Sequence, residues 1–165
     1  MKEESALSAV KDLGVYVDPE LKFRKQAAAV SKATQILSLI RRSFSNINEH
    51  TLPLLFKTFV RPHLEYGNLI WGPFNRADEK LVERVQWRAT RLVANIRIKP
   101  YPERLKYLKL PSLHHRRRRG DMIGIYQMLH SGLDIDPDEF VTPASTRTNR
   151  GHPWKIFKPQ ATSRA

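Results

Sequence analysis

Apolar residues recur along most of this chain at spacings of three and four, and they alternate in only one place. That place is Val10 to Asp18, VKDLGVYVD, which carries Val and Tyr, holds Gly14 inside and ends at Asp-Pro. The pattern predicts one short β-strand. A single strand is not a sheet, so its partners are either distant in the chain or absent from it. From Pro19 to Phe44 the period becomes helical: Phe23, Ala27, Val30, Thr34, Leu37 and Ile40 or Arg41 fall on one stripe. Asp18 and Pro19 suit a cap and a first helical position.

The stretch SNINEH interrupts that helix, and a second begins between Asn48 and Thr51, where Pro53 falls in the first turn. Leu55, Phe59 and Leu64 are its predicted apolar side, and Pro62 is expected to kink or end it near Arg61. Asn75 is a predicted cap for a third helix, with Asp78 three residues on. Its apolar positions are Leu81, Val85, Ala89, Leu92 and Ile96. A connector follows, with one or two helical turns around Pro102 to Leu108. Ser112 then caps a last helix that Gly132 ends. The second half of that helix (Met122, Ile123, Ile125, Tyr126, Met128, Leu129) is apolar nearly all round, which predicts burial. Gly120 and Gly124, one turn apart, would admit another helix closely. After Pro137 the prolines at 137, 143, 153 and 159, mixed with Ser, Thr and Arg, read as a poorly ordered tail. The fold class is therefore all-α, a four- to five-helix bundle with one short N-terminal β-strand. Residues 1–18 hold the strand, 19–132 the helical domain and 133–165 the tail.

Composition changes this picture mainly through charge. The chain has 165 residues, enough for one domain with a core. Lys and Arg number 29 against 16 Asp and Glu, a net charge of +13. Residues 76–130 alone carry 14 basic and 5 acidic side chains. A field of that sign attracts polyanions, nucleic acid or an acidic membrane surface. No apolar run is long enough for a membrane span, and MKEESALSAV lacks the apolar core of a secretory signal. The chain has no cysteine, which excludes disulfides, thiol catalysis and cysteine-bound zinc and fits an intracellular, reducing setting, nuclear or cytoplasmic.

Two groups of cations stand out. Lys80, Arg84, Arg88 and Arg91 form one stripe at i, i+4, i+8 and i+11 of the third helix. Only Lys80 has an acid, Glu83, three or four residues away, so pairing within the helix is mostly closed to them and like charges repel. Trp87, one turn before Arg91, is a candidate stacking platform. Arg116, Arg117, Arg118 and Arg119 occupy the first turns of the last helix, where the helix dipole is already positive and each exposed cation costs roughly 0.3–1 kcal/mol. Asp121 is the acid in range, for Arg117 and Arg118. A docked phosphate would reverse that cost through free backbone donors and guanidinium forks. The competing readings are a solvated charged face for the stripe and a localisation-type basic run for the four arginines.

Other chemistry is scarce. DIDPDE (Asp134 to Glu139) begins like a calcium loop, but Glu139 stands at the glycine position and Ser145 at the bidentate glutamate position, so it reads as a solvated acidic turn. His114 and His115 are adjacent and diverge by about 100° on a helix, too far to share a metal. No P-loop or nucleophile elbow is present. Arg119-Gly120-Asp121 spells an adhesion tripeptide, but it lies within a predicted helix rather than an exposed loop.

KDLGVYVDPELKF, RRSF, FVRPHLEYGNLIWGP, LVERVQWRATRLV and YPERLKYLKLPSLHHRRRRGDMIGIYQMLH occur in this order between Val10 and Gly132. The series resembles the carboxy-terminal part of reverse transcriptases from non-LTR retrotransposons of the LINE and jockey type. In that family KDLGV follows the catalytic palm, and the region after it is a helical thumb that grips the template–primer duplex. The resemblance implies a fragment of an RNA-directed DNA polymerase. Its strand would be left over from the palm, and its partners would be an RNA/DNA template–primer duplex and the missing palm domain. The family's Asp-Asp turn has no counterpart here, since no Asp-Asp pair occurs in the chain. The chain alone is thus expected not to polymerise. It needs no cofactor of its own, magnesium belonging to the palm, and it is expected to self-associate through apolar surface that once met the palm. The expected nucleic-acid contacts are Lys80, Arg84, Trp87, Arg88, Arg91, Arg116, Arg117, Arg118 and Arg119. The alternative is a helical protein-interaction module whose basic faces bind acidic protein partners.

Overall fold

The computed structural model describes residues 10–17, 27–70, 76–130, 136–142 and 156–157. They are mostly helical, an all-α fold. Contacts cluster into two units, Met1–Asp121 and Met122–Ala165.

The N-terminal segment is not a lone strand. β1 (Val10–Asp12) and β2 (Val15–Val17) pair antiparallel, with Val10 opposite Val17 and Asp12 opposite Val15. The expectation of one strand with absent partners is corrected: the partner is three residues away. Leu13 and Gly14, at φ 43° and 86°, make the turn. Positive φ at both central residues gives a two-residue hairpin turn the twist its strands need. The Tyr66 hydroxyl donates to the Leu13 carbonyl at 2.5 Å and fastens the turn to the helical body.

α1 (Ala27–Ser43) buries Ala33, Leu37 and Ile40. The predicted start of this helix at Asp18 and Pro19 lies outside the described residues. Asn48 opens the second helix: its Oδ1 accepts from the His50 and Thr51 amides at 2.9 and 3.0 Å. The helix is a single rod in three pieces: α2 (Thr51–Leu55), a π-helical turn (Phe56–Val60) and α3 (Arg61–Glu65). Pro62 does not end it. A proline lacks an amide hydrogen and crowds the carbonyl four residues back. The wider π turn just before it accommodates both and lets the rod run on to Glu65. The extra residue also rotates the buried face. Leu52, Phe56, Val60 and Leu64 line the core, while Phe59, expected inside, is 52 % exposed.

α4 (Arg76–Thr90) buries Val82, Val85, Gln86, Ala89 and Thr90. It ends six residues before the predicted Ile96, which sits instead in a 3₁₀ turn, Ala94–Ile96. Leu81 is exposed rather than buried. Both buried polar side chains are satisfied: Gln86 Nε2 donates to the Pro111 carbonyl at 2.9 Å, and Thr90 Oγ1 to that of Trp87 at 2.9 Å. Asn75, the predicted cap, lies outside the described residues. α5 (Tyr101–Tyr107) matches the turns expected around Pro102. Its end is a Schellman motif, with the Leu110 amide bonding to the Leu105 carbonyl at 3.0 Å and that of Lys109 to Lys106 at 3.2 Å. Lys109 takes the left-handed position usually given to glycine, at φ 52°.

α6 (Leu113–His130) begins where expected. Five helical rods are thus present among the described residues. Two clusters hold those of the first unit together. Phe56, Val60, Leu64, Val85 and Leu113 lie in the larger, and Leu52, Val93, Ile96, Leu108 and Leu110 in the smaller. Burial of the second half of α6 is corrected. Met122 is 72 % exposed, and Ile123, Ile125 and Tyr126 are exposed as well. Gly120 is close to another segment, but not to a helix: a Cβ there would lie 2.9 Å from Asn68 Nδ2. Arg119 and Asp121 are exposed, and the adhesion tripeptide lies within α6. In the second unit Asp136, Asp138 and Glu139 are exposed, and Asp136 Oδ1 accepts from the Asp138 amide at 3.0 Å, as an acidic turn should. Most of the predicted tail lies outside the described residues.

Candidate nucleic-acid interface

The two groups of cations have different fates, and the acids decide between them. α6 starts against carboxylates from other elements. Glu83 Oε2 accepts from the His114 backbone amide at 3.1 Å, and Ser112 Oγ accepts from that of His115 at 3.2 Å. Glu79 lies 3.7 Å from His114 Nδ1. The anion that a helix N-terminus favours is therefore supplied from within the protein. Glu83 is held in turn by the Tyr101 hydroxyl, which donates to its Oε1. Burial, and then this bond, push the Tyr101 phenol well above its ordinary range.

Arg116 and Arg117 likewise meet acceptors from within the protein. Arg116 grips Glu65 with a fork, Nε to Oε1 at 2.5 Å and Nη2 to Oε2 at 2.9 Å. That bond raises its pKa above the ordinary value. Arg61 Nε lies 3.6 Å from the same carboxylate. Arg117 is only 8 % exposed, and its Nη2 donates to the Leu64 carbonyl. Burial pushes its pKa down, opposed by the charges of Glu65, Asp121 and Glu79. Both remain guanidinium at neutral pH, but neither stands open to a phosphate. Arg118 and Arg119 are exposed. Arg118 borders a small cleft with Glu79, Glu83 and Asp121, a mixed-charge rim rather than a basic one.

The stripe on α4 fares differently. Lys80, Arg84, Arg88 and Arg91 are all exposed. Arg88 and Arg91 line a groove of about 570 Å³ where the C-terminal ends of α1 and α4 come together, and Arg41 and Arg97 join them there. Lys80 and Arg84 lie nearer the start of α4, outside the groove lining. The remaining walls include Leu37, Phe44, Ile47, Trp87 and Leu92, and among the described residues no carboxylate lines the groove. Arg41 and Arg88 each sit in a helix's last turn, where a cation gains from the dipole. That explains them singly, at roughly 0.3–1 kcal/mol apiece. It does not explain four arginines lining one groove.

Trp87 is 36 % exposed and anchors this wall. Arg91 lies over its ring at 4.8 Å from the centroid. Arg104, 2 % exposed, lies 5.3 Å from the same ring and 5.4 Å from that of Tyr101, and its Nη1 donates to the Trp87 carbonyl at 3.1 Å. Burial, and then the nearby Arg91 charge, lower the Arg104 pKa. A buried guanidinium held between two aromatic faces fixes Trp87, and Trp87 fixes Arg91.

Arg41, Phe44 and Arg97 were not among the residues expected from sequence. RRSF displays the basic end of α1 plainly, but a helical pattern does not reveal that this end meets the end of α4. Among the described residues no group of three or more His, Asp or Glu gathers as metal ligands, and no helix is long and apolar enough to cross a membrane.

Comparison with models of protein families, with curated proteins and with solved structures finds no match to this chain. The likeness to retrotransposon reverse transcriptases rests on its sequence motifs alone.

Proposed function

We propose that this chain is a thumb-like helical module that binds the sugar–phosphate backbone of a nucleic acid with little regard to sequence. The observation that carries this reading is the groove lined by Arg41, Arg88, Arg91 and Arg97 with no carboxylate among its described lining residues. Phosphate is the ligand that four such guanidiniums suit, since each fork donates two parallel hydrogen bonds to its oxygens. The net charge of +13 adds long-range attraction for any polyanion. The order of motifs shared with non-LTR reverse transcriptases supplies a context. On that reading the chain is the duplex-gripping part of an RNA-directed DNA polymerase, and the catalytic carboxylates belong to a palm outside it.

The test is fluorescence anisotropy with a labelled RNA–DNA hybrid at several salt concentrations. Each phosphate contact contributes roughly 0.7–0.9 to the slope of log affinity against log salt. The Arg88→Gln/Arg91→Gln double variant should lower that slope by roughly 1.5 and weaken binding several-fold. A double variant with wild-type affinity and slope removes the reading. It would favour the alternative, a bundle whose basic faces meet acidic proteins.

A further inference from the structure

The groove holds more than phosphate chemistry, and the surplus points to a particular form of nucleic acid. Leu37, Phe44, Ile47 and Leu92 line it beside the arginines. Phe44 is itself exposed. A paired duplex offers such a groove only phosphates and sugars, because its bases are stacked inside the helix. Apolar and aromatic walls gain nothing from that backbone. An unpaired base has two free faces and gains from both aromatic rings and guanidinium planes. The volume, about 570 Å³, is within the range of clefts that enclose a small ligand.

Resting on the reading above, we propose that this groove is a subsite for an unpaired nucleotide, such as the first single-stranded position beside a duplex. The base enters between Phe44 and the Arg91 guanidinium, which Trp87 holds in place at 4.8 Å. Arg41, Arg88 and Arg97 take the flanking phosphates. The Trp87 contacts give the subsite its rigidity: Arg104 secures both the ring and the backbone carbonyl of that residue from the buried side. A stacking partner held in advance loses little freedom when a base arrives. The preferred ligand is therefore a tailed duplex or a single strand rather than a blunt duplex.

Three labelled probes test this on the full chain: a blunt hybrid duplex, the same duplex with a four-nucleotide single-stranded tail, and that tail made abasic. One stacked base should tighten binding roughly 5- to 100-fold, so the tailed probe should exceed the blunt one by that factor and the abasic tail should lose most of the gain. A 2-aminopurine in the tail should be quenched on binding, and less so in Phe44→Ala, a variant at an exposed position. Equal affinity for blunt and tailed probes, or full retention with the abasic tail, overturns the subsite and leaves backbone binding standing. Failure to bind any of the three overturns the underlying reading and the subsite with it.

Discussion

Arg116 separates a structural cation from a functional one, and the two roles predict opposite results. Its fork on Glu65 joins side chains that are 35 % and 20 % exposed. A hydrogen bond to a charged partner contributes about 1.5–3 kcal/mol when shielded, and partial exposure brings this pair to the lower end. Arg116→Gln removes the fork but leaves Glu65 beside Arg61 and Arg117. We expect it to cost about 1 kcal/mol, a fall in Tm of roughly 2–4 °C for a chain of this size. Glu65→Gln is the harsher change. It leaves Arg116 facing Arg61, whose pKa burial and then the Arg116 charge already lower, and it takes from buried Arg117 the largest of the charges that oppose its desolvation. Stranding a buried or half-buried charge costs more than losing a pair, about 2–3 kcal/mol here after allowance for exposure, or roughly 4–12 °C. Thermal unfolding followed by circular dichroism reads both changes, and anisotropy on the hybrid reads function. Arg116→Gln should keep its salt slope and bind within about twofold of wild type. An Arg116→Gln protein with unchanged Tm and a slope reduced by about 0.9 would show that the guanidinium serves phosphate after all.

Three further outcomes follow from local geometry. The raised Tyr101 pKa means that the folded state keeps its phenol protonated where the unfolded chain releases the proton; this stability is full below the ordinary pKa of 10.0 and is lost as pH rises above it, so urea midpoints should fall above pH 10 and Tyr101→Phe should fall less steeply. A steeper fall in the variant contradicts the assignment. Gly120→Ala gains helix propensity of about 0.5–1 kcal/mol but drives its Cβ into Asn68 Nδ2, which donates to the Arg117 carbonyl at 3.3 Å and to Asp121 Oδ1 at 3.2 Å. Gly120→Ala should therefore stabilise in an Asn68→Ala background and fail to in wild type, and additivity of the two changes in a double-mutant cycle would show that the contact is immaterial. Lys109→Gly relieves a left-handed non-glycine residue in the Schellman turn and should raise stability by about 0.5–1 kcal/mol, the larger flexibility of the unfolded chain offsetting part of the gain; an unchanged or lower urea midpoint would place the cost of that turn elsewhere.

The helices were legible because their caps and periods are local. Asn48, Ser112 and the 101–108 turns can be read from a few neighbouring residues, and the structure keeps them. The errors come where one element alters another. The sequence puts Leu55 and Phe59 on the apolar side and a break at Pro62, but the π turn adds a residue before Pro62 and sends Phe59 outward in favour of Phe56 and Val60. The second half of α6 is as apolar as a buried helix should be, and yet Met122, Ile125 and Tyr126 face outward. Composition bounds what a segment could bury, not what is there to bury it.

The cations give the same lesson in its most consequential form. Counting acids three and four residues away assigned both arginine groups to an external anion, because along a helix those are the only neighbours that sequence can supply. In the fold, Glu65, Glu79 and Glu83 arrive from α3 and α4 and surround the start of α6. Those acids are then committed, and the far end of α4 is left with Arg88 and Arg91 beside Arg41 and Arg97. The charge of a helix therefore says little about its partner until the tertiary positions of the acids are known. Here Glu65, Glu79 and Glu83 meet the start of α6, and on the proposed reading it is that placement, as much as the number of arginines, that leaves the other end of α4 to phosphate.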